Sequence, residues 1–299
     1  MERLSAQNKT RTDSSSWRHA RSRFYSKNNR GYAKELKVTV SPDWLEHHRS
    51  SKNLSILDAR SRGAYRRSHI PGAIHADLFH YFVRGTDRKG LQKFQNDLAR
   101  KLGNMGLTGK ETMVVYESGF GMRAARVGWM LEYAGAGNVL LLEGGFKAWR
   151  KSHYPIQNRI VEPELKIFQV KPASRLLATA DEVRSPRSAL VLDVRSEGEF
   201  TGKEGRDCDE RRGRIPRARW FEWTNFLYDG ERFKTRSEIA DALREKGLSR
   251  DKVVVTYCHR GARAAAAFYA LRSLGYRNVK NYIGSWHEWS ARKNLPVER

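Results

Sequence analysis

The chain has 299 residues, with 57 Lys+Arg against 33 Asp+Glu, a formal net charge of +24, 39% hydrophobic residues and 30% charged residues. That length holds two domains with separate cores, and no apolar run approaches the roughly 18 residues needed to cross a bilayer, so no membrane partner is expected. The basic residues are spread along the chain and carry no zinc-finger, helix-turn-helix or RNA-binding signature, which sets nucleic acid aside as a partner and leaves affinity for small anions. Cys208 and Cys258 are the only cysteines. They exclude a disulfide framework, favour a reducing compartment such as the cytoplasm, and are too few for a metal centre, so no metal and no cofactor are expected.

Residues 1–35 read as a basic, flexible tail, rich in Ser, Arg and Asn, whose first 34 residues hold only Glu2 and Asp13 as acids. They lack the apolar core of a secretory signal. Their composition leaves a mitochondrial transit peptide as the alternative to a disordered arm. From residue 36 the chain states one pattern twice. VTVSPDWLEHH at 38–48 and NLSILDAR at 53–60 are followed by YRRSHIPGA at 65–73, TMVVYESGFGMRAARVGWMLEYAG at 112–135 and NVLLLEGGFKAW at 138–149. The same order returns as LLATADEVR at 176–184, ALVLDVR at 189–195, RIPRA at 214–218, VVVTYCHRGARAAAAFYALRSLGY from 253 and NVKNYIGSWHEW from 278. This is a duplicated unit of about 120 residues. The expected division is a domain at 36–152, a linker at 153–174 interrupted by Pro155, Pro163 and Pro172, and a second domain at 175–299.

SILDAR, LVLDVR, MVVYE, VVVTYC, VLLLEG and VKNYIG are short apolar runs of strand length, consistent with buried parallel strands. Met122–Ala134 and Ala262–Leu274 are Ala-rich with helical spacing, and Gly135 and Gly275 stand where a helix-ending glycine belongs. Strands alternating with helices predict an α/β fold in which each repeat is a parallel sheet flanked by helices. Asp58 and Asp193 end their strands two residues before Arg60 and Arg195. Internal ion pairs are the preferred reading of these, over donor binding by the arginines.

The chemistry concentrates in Cys258-His259-Arg260-Gly261-Ala262-Arg263, between a strand and a helix. Unpaired N–H groups at a helix start, together with the helix dipole, form an anion cradle. A cysteine at the first loop position is favoured there as the thiolate. His259, Arg260 and Arg263 add cationic character, and Gly261 supplies backbone freedom. Cys208 lies in the polar insertion KEGRDCDERR and reads as an exposed loop cysteine.

CHRGAR, with HIPGA and RIPRA and the closing GGFKAW and GSWHEW, resembles the tandem-domain rhodaneses, the thiosulfate/3-mercaptopyruvate sulfurtransferase family. The likeness covers nearly everything after residue 36. It implies that Cys258 attacks the outer sulfur of thiosulfate, releases sulfite, and passes the sulfur from a persulfide to cyanide, a thiol or an acceptor protein. His259, Arg260, Gly261, Ala262 and Arg263 would then bind the donor and hold the persulfide. Glu117 stands in the first repeat where Cys258 stands in the second, so the first domain should be silent and should wall the cleft. His69 and Arg60 of the first domain are candidates to face that cleft, with Arg195 and Trp286 of the second as further candidates for its wall. Mammalian thiosulfate enzymes of the family carry an arginine where Glu199 stands, so that residue's role does not transfer. The rival donor is 3-mercaptopyruvate, whose enzymes have small hydroxyl side chains in this loop. A phosphatase would need a longer loop than the four residues between Cys258 and Arg263. A non-enzymatic sulfur carrier or binding module is the rival of another class.

Overall fold

In the computed structural model, residues 36–76, 78–185 and 189–299 are described, and the expected basic tail lies outside them. The described residues form one compact unit. The first repeat runs β1 (Thr39–Val40), α1 (Pro42–His48), β2 (Leu54–Asp58), α2 (Arg62–Arg67), β3 (Ile74–His75), α3 (Arg88–Asn104), β4 (Thr112–Tyr116), α4 (Met122–Tyr133), β5 (Asn138–Leu142) and α5 (Gly145–Lys151). Its strands pair in parallel in the order β1-β5-β4-β2-β3. The second repeat runs α6 (Ala180–Arg184), β6 (Leu190–Asp193), α7 (Glu197–Thr201), β7 (Arg219–Trp220), the hairpin β8 (Leu227–Tyr228) and β9 (Arg232–Phe233), α8 (Arg236–Glu245), β10 (Val254–Tyr257), α9 (Ala262–Ser273), β11 (Val279–Asn281) and α10 (Ser285–Ala291). Its sheet is also parallel, in the order β11-β10-β6-β7.

The apolar runs become central strands because helices cover both faces of each sheet. Ile56 and Leu57, neighbours pointing to opposite faces of β2, are both buried, as are Val114 and Val115 of β4. Helices α4 and α9 end as the glycines predict, with Gly135 at φ 102° and Gly275 at φ 88°. Segment 153–174 is held along the first repeat by backbone bonds from Lys166 N to Gly103 O, Lys171 N to Ala134 O and Ala173 N to Tyr133 O.

Each strand-end aspartate organises a buried network, and the two networks repeat each other. Asp58 takes a paired bond from Arg60, and Asp193 takes one from Arg195. Tyr116 donates to Asp58 at 2.7 Å and accepts from Ile70 N, while Tyr257 donates to Asp193 at 2.5 Å and accepts from Ile215 N. The isoleucine of HIPGA or RIPRA is thereby tied to the strand that leads into the loop. Arg217 of RIPRA keeps the left-handed backbone of its counterpart Gly72, at φ 62° against 80°, a conformation that disfavours a side chain.

The repeats pack through α4 against α9. A Cβ at Gly128 would stand 2.8 Å from the Tyr269 hydroxyl, so glycine permits the close approach. Beside it, Tyr269 and Arg272 both donate to Glu132, at 2.8 and 2.5 Å. Coverage of the loops is reciprocal. The β8–β9 hairpin of the second repeat closes over the first repeat's loop, with Phe120 N bonding to Gly230 O and Gly144 N to Glu231 O. In return Thr86 of the first repeat donates twice to the buried Glu288 carboxylate on α10.

Candidate active site

Strand β10 delivers Cys258 to the start of α9. Gly261 sits at φ 82°, where a Cβ would meet Ile283 O at 2.9 Å, so this turn needs glycine. Its N–H donates to Cys258 Sγ at 3.1 Å. Ala262 then begins the helix. The loop is fixed from outside by α10: Trp286 N donates to Cys258 O and His287 N to His259 O. Ser285, buried and at φ 53°, accepts from Cys258 N at 3.2 Å. The reading of the sequence passed over this serine, which lay inside the closing signature.

Two arginines flank the thiol. Arg263 forms a paired bond with Glu199, at 2.5 and 2.8 Å, so the second repeat braces its own loop through α7. Arg126 comes from α4 of the first repeat and donates to Arg260 O at 2.8 Å. Burial lowers its pKa to about 10, against the favourable charge of Cys258, so it remains cationic at neutral pH. Arg126 was missed in the sequence, where it sits in the apolar run AARVGW. Its signal was a guanidinium set among the apolar residues of a largely buried helix.

The Cys258 side chain is 1% exposed. Arg260 stacks over Phe82 at 4.1 Å, and Arg126 also donates to the carbonyl of Tyr81. Tyr81 and Phe82 line a neighbouring cavity of about 400 Å³ with Val83, Lys93 and Asp97. The first-repeat residues against the Cys258 loop are therefore Tyr81, Phe82 and Arg126. His69 and Arg60, the expected wall residues, are engaged elsewhere. His69 is buried between Tyr65 O and Arg159 O, and Arg60 is bound to Asp58 and to Ser68 O. Arg195 and Trp286 are interior too, with the guanidinium stacked on the indole at 4.6 Å and Trp286 donating to Arg211 O. Internal pairing consumes these arginines because an unpaired buried guanidinium would be costly.

His259 also differs from expectation. Burial outweighs its bond to Asp209 and pushes its pKa below the usual histidine value, so the ring is neutral at pH 7 and the arginines alone carry the positive charge. Asp209 bonds His259 Nε2 at 2.9 Å, while Cys208 Sγ lies 3.8 Å from the same nitrogen and 3.3 Å from the Arg260 guanidinium. The exposed insertion cysteine thus stands beside the loop, which its position in the sequence did not reveal.

In the first repeat Glu117 occupies the corresponding place. Its carbonyl accepts from Phe146 N, as Cys258 O does from Trp286 N. Its carboxylate accepts from Ala124 N at 2.7 Å, filling the helix-start cradle with the protein's own anion. Burial raises its pKa.

Glu199 gives the site a measurable pH signature. Burial raises its pKa, but the bond and charge of Arg263 outweigh this and hold it at about 2, down from 4.5. A depressed carboxyl pKa stabilises the fold above the unfolded value and loses that stabilisation as pH falls through the folded one. Unfolding free energy should therefore drop by about 3 kcal/mol between roughly pH 4.5 and pH 2 from this group alone. Comparing urea unfolding of the native chain with Glu199→Gln across that window checks it. An equal acid slope in both proteins would remove Glu199 as the cause.

The rhodanese-like domain model matches residues 41–152 and again 176–292. A putative thiosulfate sulfurtransferase of Haloferax volcanii is 33% identical over 287 residues, covering 91% of this chain and 99% of the relative. The 3-mercaptopyruvate sulfurtransferase of Escherichia coli K12 is 29% identical over 277 residues, covering 87% and 97%. Among solved structures, a probable thiosulfate sulfurtransferase shares 34% identity at a TM-score of 0.69, covering 83% of this chain and 98% of that one. The crystal structure of SseA from Escherichia coli, a 3-mercaptopyruvate sulfotransferase, gives 27% and 0.71, covering 84% and 99%. With both repeats matched and the relatives named as sulfurtransferases, the chain belongs to the rhodanese-like domain family as a tandem two-domain member.

Proposed function

We propose that the chain is a thiosulfate sulfurtransferase that carries sulfur as a persulfide on Cys258. The observation that carries this reading is the bond from Gly261 N to Cys258 Sγ at the start of α9, between Arg126 and Arg263. The Cys258 thiolate attacks the outer sulfur of thiosulfate, the sulfur–sulfur bond breaks, and sulfite leaves with its electron pair. Cyanide, a thiol or an acceptor protein then attacks the terminal sulfur, and the Cys258 thiolate leaves. The Gly261 N–H, already aimed at the sulfur, is a preorganised donor for the persulfide anion. Every group needed is a side chain or amide of the protein.

Arg260 and Arg126 each keep a buried Nε without a hydrogen-bond partner, a costly arrangement unless an anion completes it. That favours dianionic thiosulfate over mercaptopyruvate. The thiol is closed off, with Arg260 stacked on Phe82 beside it, so donor entry requires this cover to move. The test is mass spectrometry after mixing with thiosulfate. A gain of one sulfur atom on the peptide holding Cys258 is expected, and sulfur found on no peptide or only on Cys208 would overturn the reading. Kinetics with both donors separate the rivals, and a strong bias to mercaptopyruvate would replace thiosulfate as the donor.

A further inference from the structure

Four side chains from three separated segments converge beside the Cys258 loop. Cys208 and Asp209 come from the insertion between α7 and β7, His259 from the loop itself, and His287 from the first turn of α10. One ligand atom from each lies within 4.8 Å of all the others. Cys208 Sγ is 3.8 Å from His259 Nε2, which is 2.9 Å from Asp209 Oδ1, which is 3.8 Å from His287 Nδ1. A tetrahedral metal with bonds of ~2.0–2.3 Å holds its ligand atoms ~3.3–3.8 Å apart. The Cys208–His259 and Asp209–His287 separations are already at the upper end of that range. The shorter Asp209–His259 contact is a hydrogen bond that metal ligation would replace. Every pair lies within 4.8 Å, so binding requires only a small contraction of the cluster.

We propose that Cys208, Asp209, His259 and His287 bind a divalent cation of the zinc class. One thiolate, two imidazoles and one carboxylate make a mixed sulfur, nitrogen and oxygen set that suits zinc and disfavours magnesium or calcium, which take oxygen ligands. Thiolate and carboxylate together neutralise the ion, so the surrounding arginines do not oppose it. His287 Nδ1 is buried and has no hydrogen-bond partner, which is unfavourable for a ring nitrogen unless a ligand is expected there. The site is also held in shape from behind. Two residues after Asp209, Arg211 donates to the carbonyls of Trp289, Ser290, Arg292 and Leu295 and fastens the insertion to the end of α10. Supporting bonds of this kind keep ligands in place before the metal arrives. Cys208 lies on the exposed side, which gives the ion its path in.

The competing account is a metal-free hydrogen-bond cluster that only steadies His259. Cobalt(II) separates the two, because it takes tetrahedral zinc sites and reports its ligands by colour. The full-length protein, reduced and stripped with a chelator, is titrated with cobalt(II) and then with zinc(II). Saturation at one cobalt per chain is expected, with intense tetrahedral bands, a thiolate-to-cobalt charge-transfer band, and displacement of both by zinc. Cys208→Ser should remove the charge-transfer band, and His287→Gln should weaken binding at least about tenfold. Both should keep the native circular dichroism. Cys258→Ser should keep the cobalt spectrum intact. No saturable binding, a weak octahedral spectrum, or a charge-transfer band lost with Cys258 and kept without Cys208 would each overturn the proposal. The readout is spectroscopic, so it stands or falls independently of sulfur transfer.

Discussion

Replacing Cys258 with serine is expected to abolish sulfur transfer from thiosulfate to cyanide, a loss of at least ~1000-fold, while leaving the fold intact. Serine is isosteric enough to keep the bond from Gly261 N, but a hydroxyl is not ionised at neutral pH and does not form a transferable persulfide. Sulfite release on mixing with thiosulfate should vanish together with steady-state turnover, because both need the first attack. Retained turnover would assign the chemistry to another nucleophile, and Cys208, beside Arg260, would be the first to test. A native thermal unfolding curve for the variant shows that chemistry, not structure, has been lost.

Asp193→Ala is expected to destabilise the chain by about 3–5 kcal/mol, the usual cost of stranding one partner of a buried ion pair. Asp193 is fully buried, and its carboxylate serves the Arg195 side chain, Arg195 N and the Tyr257 hydroxyl at once. Removing it leaves a guanidinium at 2% exposure with Gly213 O as its hydrogen-bond acceptor among the described residues. The double change Asp193→Ala with Arg195→Met should recover much of the loss, because it removes the stranded charge along with its partner. Urea unfolding of the two variants measures this. A single variant within 1 kcal/mol of the native chain would show that water reaches Arg195.

What the sequence disclosed follows the range of the interactions concerned. The strands were legible because β2, β4, β6 and β10 are buried on both faces and so read as continuous apolar runs. The Cys258 loop was legible because its anion cradle is local, made by consecutive residues between one strand and one helix. The internal pairing of Arg60 and Arg195 was legible too, since each partner is two residues away. The neighbours of the thiol were not. Arg126 reaches Arg260 across 134 positions, and Asp209 reaches His259 across 50. No periodicity or motif spans such separations; they depend on how α4 meets α9 and on where the insertion is fastened. His69 and Arg60 were proposed as wall residues for the same reason, since their motif marks a strand neighbour and not the face the repeats share. His259 looked cationic by residue type, and only its burial made it neutral.

The mutual capping of the two repeats makes each a structural part of the other. On the reading proposed above, the first repeat, with Glu117 in place of a cysteine, still supplies Arg126 and Phe82 to the surroundings of the Cys258 loop. Separating the halves would leave α4 and α9 uncovered, and the Cys258 loop without the guanidinium of Arg126.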